Sequence, residues 1–330
     1  MTNERGSIVI HARGLARSFP TRAGRDKTEV RAVAGVDLDV EAGEIVGFLG
    51  PNGAGKTTTL RMLTTLLTPT SGTATVAGYD VASQPGLVRQ SIGYVSQSGS
   101  TQPEARAGEE VVDHGQLYGI PKAQATARGQ ELFAQLELDG MWKRAPKAMS
   151  GGQRRRLDIA MGLVHDPQLV FLDEPTTGLD PQARANLWSH ISQLRNGRGM
   201  TVFLTTHYLD EADALCDRVL VIDRGTIVAA DTPDALKRQV AGDLVELVVG
   251  DRAQVVPAAT ALSALVPGES AHVDGTTVSL RVPGAGSHLA GLVRELDDAG
   301  VALVSVDVRR PTLDDVFLTL TGRSLREDAA

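Results

Sequence analysis

A glycine-rich loop directly after a short apolar run constrains the fold of this chain more than any other feature. The run IVGFL, residues 45–49, is followed by GPNGAGKTTT, which begins at Gly50. This loop matches the pattern G-x-x-x-x-G-K-[ST], in which glycines let successive backbone N–H groups point inward around phosphate. A buried parallel strand followed by this loop, with a helix beginning near Lys56, predicts a phosphate site at the carboxyl edge of a sheet.

We predict that the whole loop contacts the phosphates of a nucleotide. The predicted phosphate-binding residues are Gly50, Pro51, Asn52, Gly53, Ala54, Gly55, Lys56, Thr57 and Thr58. Lys56 is expected to reach the β- and γ-phosphates, and the hydroxyl of Thr57 is expected to bind Mg²⁺. The alternative is a glycine-rich turn with a surface lysine, and the flanking strand and helix patterns favour the phosphate site.

A second apolar run, LVFLDE at residues 169–174, ends in two acids. Asp173, at the end of the strand, is suited to binding Mg²⁺ beside the phosphates. Successive side chains of an extended chain point to opposite faces, so Glu174 is free for another role. We expect it to accept a proton from an attacking water. Two acids after a strand are usually the start of a loop, and the phosphate loop is what favours a functional interpretation.

The stretch Ser150, Gly151, Gly152 and Gln153 precedes an apolar helix and predicts a second anion-binding helix end. Three arginines at 154–156 follow it. We expect this arginine run to be a solvated helix face, since such charge runs usually are. The formal net charge of −7 argues against nucleic acid as a partner.

These motifs, followed by Gly178-Leu179-Asp180 and Thr206-His207, resemble in their order the nucleotide-binding subunit of an ATP-binding cassette (ABC) transporter. The resemblance covers about residues 7–233. It implies ATP and Mg²⁺ as cofactors and an ATP-dependent, head-to-tail homodimer. In such a dimer, residues 150–153 and Asp180 contact ATP that is bound to the other copy.

The same resemblance assigns three further residues. Gln97, which ends the stretch IGYVSQ, would contact Mg²⁺ or the attacking water. His207, which follows a buried strand, would orient Glu174 and the water. Phe19 lies where an aromatic side chain stacks on adenine, and the alternative for it is a core phenylalanine.

The resemblance also implies a partner, because the 330 residues contain no apolar run of spanning length. We expect a peripheral ATPase subunit at the cytoplasmic face of the cell membrane, powering an integral membrane permease that is encoded separately. The single cysteine, Cys216, is consistent with a reducing compartment. The C-terminal stretch RPTLDDVFLTLTG at residues 310–322 resembles the drug-export ATPases of the daunorubicin-resistance type, which suggests export of a hydrophobic, antibiotic-like compound. The alternative is a soluble ABC-type ATPase that acts on a non-transport partner.

The predicted fold class is α/β. Alternation of strands and helices indicates a P-loop NTPase core with a parallel sheet, and the resemblance adds ABC-type antiparallel β and helical subdomains. We place the ATP-binding domain at residues 1–241, with a helical insert at about 98–165, and a small α+β domain at 242–330. Residues 20–27 are polar and are predicted to form a loop, and the spacing of Leu289, Leu292, Val293 and Leu296 predicts one face of a helix.

Overall fold

The structure is a computed structural model that describes residues 6–23, 26–240 and 242–322. Of these, the residues up to Pro233 form one compact unit and those from Asp234 onward form a second. The boundary drawn from the sequence, after residue 241, lies a few residues further along the chain. No helix in the described ranges combines the length and apolar character that crossing a bilayer demands.

Within the described residues, the first unit contains ten strands and seven helices. The strands are β1 (Ile8–Ala23), β2 (Asp26–Glu41), β3 (Ile45–Leu49), β4 (Ser71–Val76), β5 (Tyr79–Asp80), β6 (Ile92–Val95), β7 (Leu169–Asp173), β8 (Thr201–Thr206), β9 (Arg218–Asp223) and β10 (Thr226–Asp231). The helices are α1 (Lys56–Leu63), α2 (Pro85–Ser91), α3 (Ala107–Leu117), α4 (Lys122–Gln135), α5 (Gly151–Leu163), α6 (Pro181–Arg198) and α7 (Leu209–Leu215).

The second unit begins with a short helix, and it adds four strands and three longer helices among the described residues. These elements are α8 (Pro233–Arg238, whose first residue belongs to the first unit), β11 (Asp243–Val249), α9 (Val255–Ala264), β12 (His272–Asp274), β13 (Thr277–Val282), α10 (Ala285–Asp298), β14 (Leu303–Arg309) and α11 (Leu313–Thr321).

A six-stranded sheet forms the centre of the first unit, in the order β10-β9-β3-β8-β7-β6. All neighbours pair in parallel except β10 with β9. Every residue of β3, β7 and β8 is buried, which explains why these strands read as continuous apolar runs. The parallel core predicted from the sequence is confirmed. The carboxyl ends of β3, β7 and β8 share one edge, so the phosphate loop, the two acids and His207 emerge side by side.

A four-stranded antiparallel sheet, in the order β2-β1-β4-β5, covers the core beside α1. Here the loop predicted at residues 20–27 is wrong: β1 continues to Ala23 and β2 begins at Asp26, with Thr21 paired to Thr28. Residues 24–25 lie outside the described residues. The ladder is made by backbone groups, and therefore a pattern of apolar side chains does not report it.

The helical insert is built around Trp142. The indole lies directly against Gly108 of α3 and Gly129 of α4, where a Cβ would overlap it. Phe133 meets the same indole at a centroid distance of 4.9 Å, in an edge-on arrangement. Glycine at these two helix positions thus makes room for one large aromatic side chain, which holds α3 and α4 together.

The second unit follows the order β-α-β-β-α-β, and its sheet order β12-β13-β11-β14 is antiparallel throughout. This is the ferredoxin-like arrangement, and it confirms the predicted α+β character. Alternate residues of β11 and β13 form a buried face beneath α9 and α10. In α10, Leu292 and Leu296 are buried but Val293 is 39% exposed, so the covered face is narrower than the spacing predicted.

Candidate functional site

The loop between β3 and α1 can be built only with glycine at two of its positions. A Cβ on Gly50 would overlap the carbonyl oxygen of Ile222, and one on Gly55 would lie 2.6 Å from the carbonyl oxygen of Ala32. Gly55 also has φ of +107°, in the left-handed region. The loop is therefore held tightly against its neighbours at both ends, and its backbone conformation is specific.

Lys56 lies inside this loop and is 4% exposed. Its Nζ donates to the carbonyl oxygens of Gly50 at 2.7 Å and Pro51 at 3.0 Å, and it lies 3.6 Å from Oε1 of Glu174. Burial lowers the pKa of the Lys56 ammonium, and the nearby carboxylate of Glu174 offsets part of this effect. The ammonium is thus placed within the loop, where phosphate oxygens would enter.

Asp173 is held by two hydroxyl groups from different elements. The Oγ1 of Thr57 donates to Oδ1 of Asp173 at 3.2 Å, and the Oγ1 of Thr205 donates to the same oxygen at 2.7 Å. Thr205 also accepts the backbone N–H of Glu174 at 3.0 Å. Sequence reasoning missed Thr205, because it lies in an apolar strand and its role depends on contacts with β7.

Glu174 is the centre of the cluster and is 7% exposed. Its Oε2 accepts from Nε2 of Gln97 at 2.8 Å and from Oγ1 of Thr177 at 3.1 Å. The Nδ1 of His207 lies 3.3 Å from Oε1, although the angle is not that of a hydrogen bond. Residues from the ends of β6, β7 and β8 therefore converge on one carboxylate.

The backbone and the charge of Glu174 are both unusual. Its φ of +43° is rare for a residue with a side chain, and such strain persists where the surroundings impose it. Burial by itself would raise the pKa of the Glu174 carboxyl, but His207 and Lys56 outweigh it, so that the pKa lies below its usual value. The group is ionised at neutral pH.

Ser150 and Asp180 both cap helices at an exposed edge of the first unit. Ser150 Oγ accepts the N–H of Gln153 at 3.2 Å at the start of α5, and Asp180 accepts the N–H of Ala183 at 2.8 Å at the start of α6. The two helix starts are neighbours, since a Cβ on Gly152 would lie 3.4 Å from the Cβ of Ala183. Ser150 and Asp180 therefore belong to one cluster of helix starts, which is separate from the cluster around Glu174.

Phe19 lies on β1 opposite Val30 and is half-buried. The guanidinium carbon of Arg17 lies 4.9 Å from its ring centroid. One ring face is therefore occupied by a cation. Its role in stacking on adenine stays a prediction.

The arginine run that follows Gln153 is not a uniformly solvated face, and that expectation is wrong for Arg155. Arg154 is exposed and Arg156 half-buried, whereas Arg155 is 7% exposed and donates from Nε to the carbonyl oxygen of Pro175 at 2.7 Å. The signal was available in the helical period: Arg155 shares a face with Ile159 and Gly162, an apolar stripe.

Comparisons with known proteins point to one family. Residues 33–177 match the family model described as ABC transporter. The chain is 42% identical to the daunorubicin resistance ATP-binding protein DrrA3 of Streptomyces coeruleorubidus, over 90% of this chain and 93% of the relative. It is 40% identical to the doxorubicin resistance ATP-binding protein DrrA of Mycobacterium tuberculosis, over 97% of this chain and 95% of the relative.

A solved structure shares the fold. It is described as the dimeric, post-hydrolysis state of the ATP-binding cassette MJ0796 bound to ADP and Pi, and it matches with a TM-score of 0.61 at 24% identity, over 68% of this chain and 98% of that one. The chain therefore belongs to the ATP-binding proteins of the ABC transporter family.

Proposed function

We propose that this protein hydrolyses ATP, as a homodimer with Mg²⁺, to power a separate membrane permease that exports a drug-like hydrophobic compound. The observation that carries the proposal is the cluster around Glu174, in which Lys56, Asp173, Gln97 and His207 meet at one edge of the sheet. An ammonium beside a glycine-rich loop, a carboxylate that suits a metal ion and a group that can orient water are recurring parts of sites that transfer phosphoryl groups.

Nucleotide binding is assigned to the loop at residues 50–58. Its backbone N–H groups and the start of α1 would surround the phosphates. On binding, the Nζ of Lys56 would exchange its contacts with Gly50, Pro51 and Glu174 for phosphate oxygens. This exchange would release the Glu174 carboxylate from its cation and leave it free to accept a proton from water.

The residues at the loop fit Mg²⁺. Thr57, Asp173 and Gln97 offer a hydroxyl, a carboxylate and an amide oxygen, the hard donors that this ion prefers, and Thr57 and Asp173 already lie 3.2 Å apart. When bound, Mg²⁺ neutralises charge on the β- and γ-phosphates. Thr205 holds the Asp173 carboxylate in place for this role.

Hydrolysis is assigned to Glu174. Its carboxylate accepts a proton from water while the water oxygen attacks the γ-phosphorus, and the bond from that phosphorus to the bridging oxygen of ADP breaks. The lowered pKa of Glu174 keeps its carboxylate ionised at neutral pH, and therefore able to accept a proton. Gln97 and His207, which lie within 3.3 Å of its oxygens, would orient it and the water.

Two copies are needed for a complete site in this proposal. Ser150, Gly151, Gly152, Gln153 and Asp180 occupy an exposed edge, where the start of α5 would meet the γ-phosphate of ATP bound to the partner copy. The description of MJ0796 as dimeric supports this arrangement.

Export is supported by the relatives, which are described as daunorubicin and doxorubicin resistance ATP-binding proteins. A peripheral position at the cytoplasmic face of the membrane follows from the need to dock on a permease. Nucleic acid is not among the proposed partners. The alternative of a non-transport ATPase is not favoured by these relatives.

Replacing the proposed base tests the function. Glu174→Gln keeps the shape but cannot accept the proton, so turnover should fall by about 100-fold or more, while ATP binding persists and the dimer accumulates. Phosphate release, equilibrium dialysis with ATP and size-exclusion chromatography measure these effects. Glu104→Gln, at an exposed glutamate of the insert, is the matched control. Normal turnover by the Glu174 variant would remove this residue from its role.

A further inference from the structure

Arg155 binds the backbone on both sides of Glu174. Its Nη2 donates to the carbonyl oxygen of Asp173 at 3.0 Å, and its Nε donates to that of Pro175 at 2.7 Å. Its Nη1 donates to the carbonyl oxygen of Ser96 at 2.5 Å. Every nitrogen of the guanidinium is thus used on a main-chain oxygen at the carboxyl edge of the sheet.

Asp158, one turn further along α5, holds the other end of the Gln97 loop. Its Oδ1 accepts the backbone N–H of Ser100 at 2.9 Å, and a Cβ on Gly99 would lie 2.8 Å from Oδ2. Asp158 is 6% exposed. Burial raises the pKa of its carboxyl, and the Ser100 N–H and the charge of Arg155 lower it in part. The loop of residues 96–100 is therefore fastened at both ends to one helix.

The helix that carries these two residues is α5, which is capped at its start by Ser150, the residue that we assign to the partner's nucleotide. An α-helix is stiff over three turns, so a shift at its first turn is carried to Arg155 and Asp158, about five and eight residues after Ser150. We infer that Arg155 and Asp158 are positioning residues, which couple engagement of Ser150–Gln153 by the partner's ATP to the placement of Gln97 and Glu174. The inference rests on the proposed function, because it needs nucleotide at the start of α5.

The shape of the guanidinium makes Arg155 specific for this task. Its N–H groups point outward in one plane and in fixed directions, whereas a lysine ammonium is a single compact donor group on a flexible stem. Lysine would keep the charge but would not hold Ser96, Asp173 and Pro175 together. Displacing a catalytic group by about 1 Å can reduce turnover by about 100-fold. Loss of the coupling should therefore appear in turnover and not in nucleotide affinity.

Arg155→Lys in the full-length chain tests the inference. We expect kcat for ATP to fall about 10- to 100-fold, while the Kd for ATP stays within about two-fold of the wild-type value. The same substitution in a Glu174→Gln background should still give the ATP-dependent dimer. The matched control is Arg156→Lys at the next residue, whose Nη1 donates to Leu136 at the end of α4 instead. Its turnover should change less than about two-fold.

Asp158 gives a second test that does not depend on whether the Arg155 variant folds. Asp158→Asn keeps an oxygen that accepts from Ser100, and its kcat should stay within about three-fold of wild type. Asp158→Leu has the same number of side-chain heavy atoms and the same branching but no acceptor, and its kcat should fall as far as that of Arg155→Lys. Melting temperatures of both variants check that the comparison is made on folded protein.

The outcomes separate the inference from the proposed function. The inference alone is overturned if the wild-type protein hydrolyses ATP and Arg155→Lys has the same kcat. It is also overturned if Arg156→Lys loses as much kcat as Arg155→Lys. Equal kcat in the two Asp158 variants overturns the role of the Ser100 contact. A parallel loss of ATP affinity would show that these residues support the fold and not the coupling. A wild-type protein without ATP turnover refutes the proposed function, and the inference fails with it.

Discussion

Glu174 combines a strained backbone with a buried charge, and both are held by groups that lie close to it. A left-handed residue with a Cβ costs about 1–2 kcal/mol. The N–H of Glu174 donates to both the carbonyl oxygen and the Oγ1 of Thr205, at 3.1 and 3.0 Å. The carboxylate is meanwhile surrounded by Lys56, Gln97 and His207. The proposed base is therefore oriented before any nucleotide arrives.

Two glycines of the phosphate loop allow the free-energy cost of backbone strain to be distinguished from the cost of steric overlap. Gly53 has φ of +78° with no atom within 4 Å of an added Cβ, whereas Gly55 has φ of +107° and the carbonyl oxygen of Ala32 at 2.6 Å. Gly53→Ala should reduce the free energy of unfolding by about 1–2 kcal/mol, from backbone strain. Gly55→Ala should cost about 2–5 kcal/mol, because overlap adds to strain. Urea denaturation of both variants checks this, and equal losses would contradict the steric argument.

The sequence predicted those candidate site residues that lie within recognisable local patterns. Lys56, Thr57 and Asp173 lie next to recognisable loop and strand patterns, and the structure brings them together. Thr205 and Arg155 were missed because their roles depend on contacts with residues distant in the chain. Neither the hydroxyl of Thr205 within an apolar strand nor Arg155 within a run of three arginines is distinguished by its neighbours in the sequence.

Among the elements, the junction of α3, α5 and β6 is fastened by one histidine. His165 donates from Nε2 to the carbonyl oxygen of Ile92 at 2.9 Å, and its ring stacks on Tyr118 at a centroid distance of 3.7 Å. Its Nδ1 is buried without a hydrogen-bond partner. Burial lowers the pKa of His165 from 6.5 to about 4, since a proton on Nδ1 would have no acceptor.

The stability of this junction should depend on pH. Between pH 6.5 and about 4 the unfolded chain binds a proton at residue 165 that the folded chain does not, so the free energy of unfolding falls as pH falls. At pH 5 the loss should be about 1–2 kcal/mol relative to pH 7.5. His165→Gln keeps a donor for the carbonyl oxygen of Ile92 but does not titrate. Its free energy of unfolding should therefore fall by about 1–2 kcal/mol less than that of the wild type between pH 7.5 and pH 5.

Urea denaturation of both proteins at pH 7.5 and pH 5 measures the difference. His114 and His190, whose pKa values burial also lowers, contribute a loss of the same sign in both proteins and cancel. An identical pH dependence in the wild type and the His165 variant would contradict the assignment.

Element types were more predictable than element ends. Apolar periodicity identified β3, β7, β8 and α10, because each buries a face that the pattern reports. The extension of β1 and β2 through residues 20–23 and 26–27 was not predicted, and neither was β12, whose three residues are all exposed. A strand such as β12, which buries no side chain, leaves no hydrophobic pattern to find.

For the whole molecule, the exposed starts of α5 and α6 predict an interface. In the proposed dimer, Ser150→Arg would place a bulky side chain where the γ-phosphate of the partner's ATP approaches the start of α5. The ATP-dependent dimer of the Glu174→Gln background should be lost with this second substitution, while ATP binding to each copy remains. Size-exclusion chromatography with and without ATP measures it. Ala127→Arg, at an exposed position of α4, is the matched control and should leave the dimer intact.

A dimer that persists in the Ser150→Arg variant would contradict the two-copy site. Residue spacing alone does not predict this arrangement, because in the proposed dimer the start of α5 and the phosphate loop of one copy contact different nucleotides. Strand order was likewise beyond the sequence: β3 pairs with β8 and β9, which are more than 150 residues away in the chain. Only the alternation of strands and helices was visible locally.

The two hydrogen bonds made by the hydroxyl of Thr205 limit which amino acids can occupy this position. One oxygen donates to Asp173 and accepts from the backbone of Glu174. Of the twenty side chains, only hydroxyls join both functions in a single small atom, and tyrosine is too large for a fully buried strand position. Only two amino acids, serine and threonine, can therefore occupy this position. A residue without a hydroxyl at this position would release both Asp173, the proposed magnesium ligand, and Glu174, the proposed base.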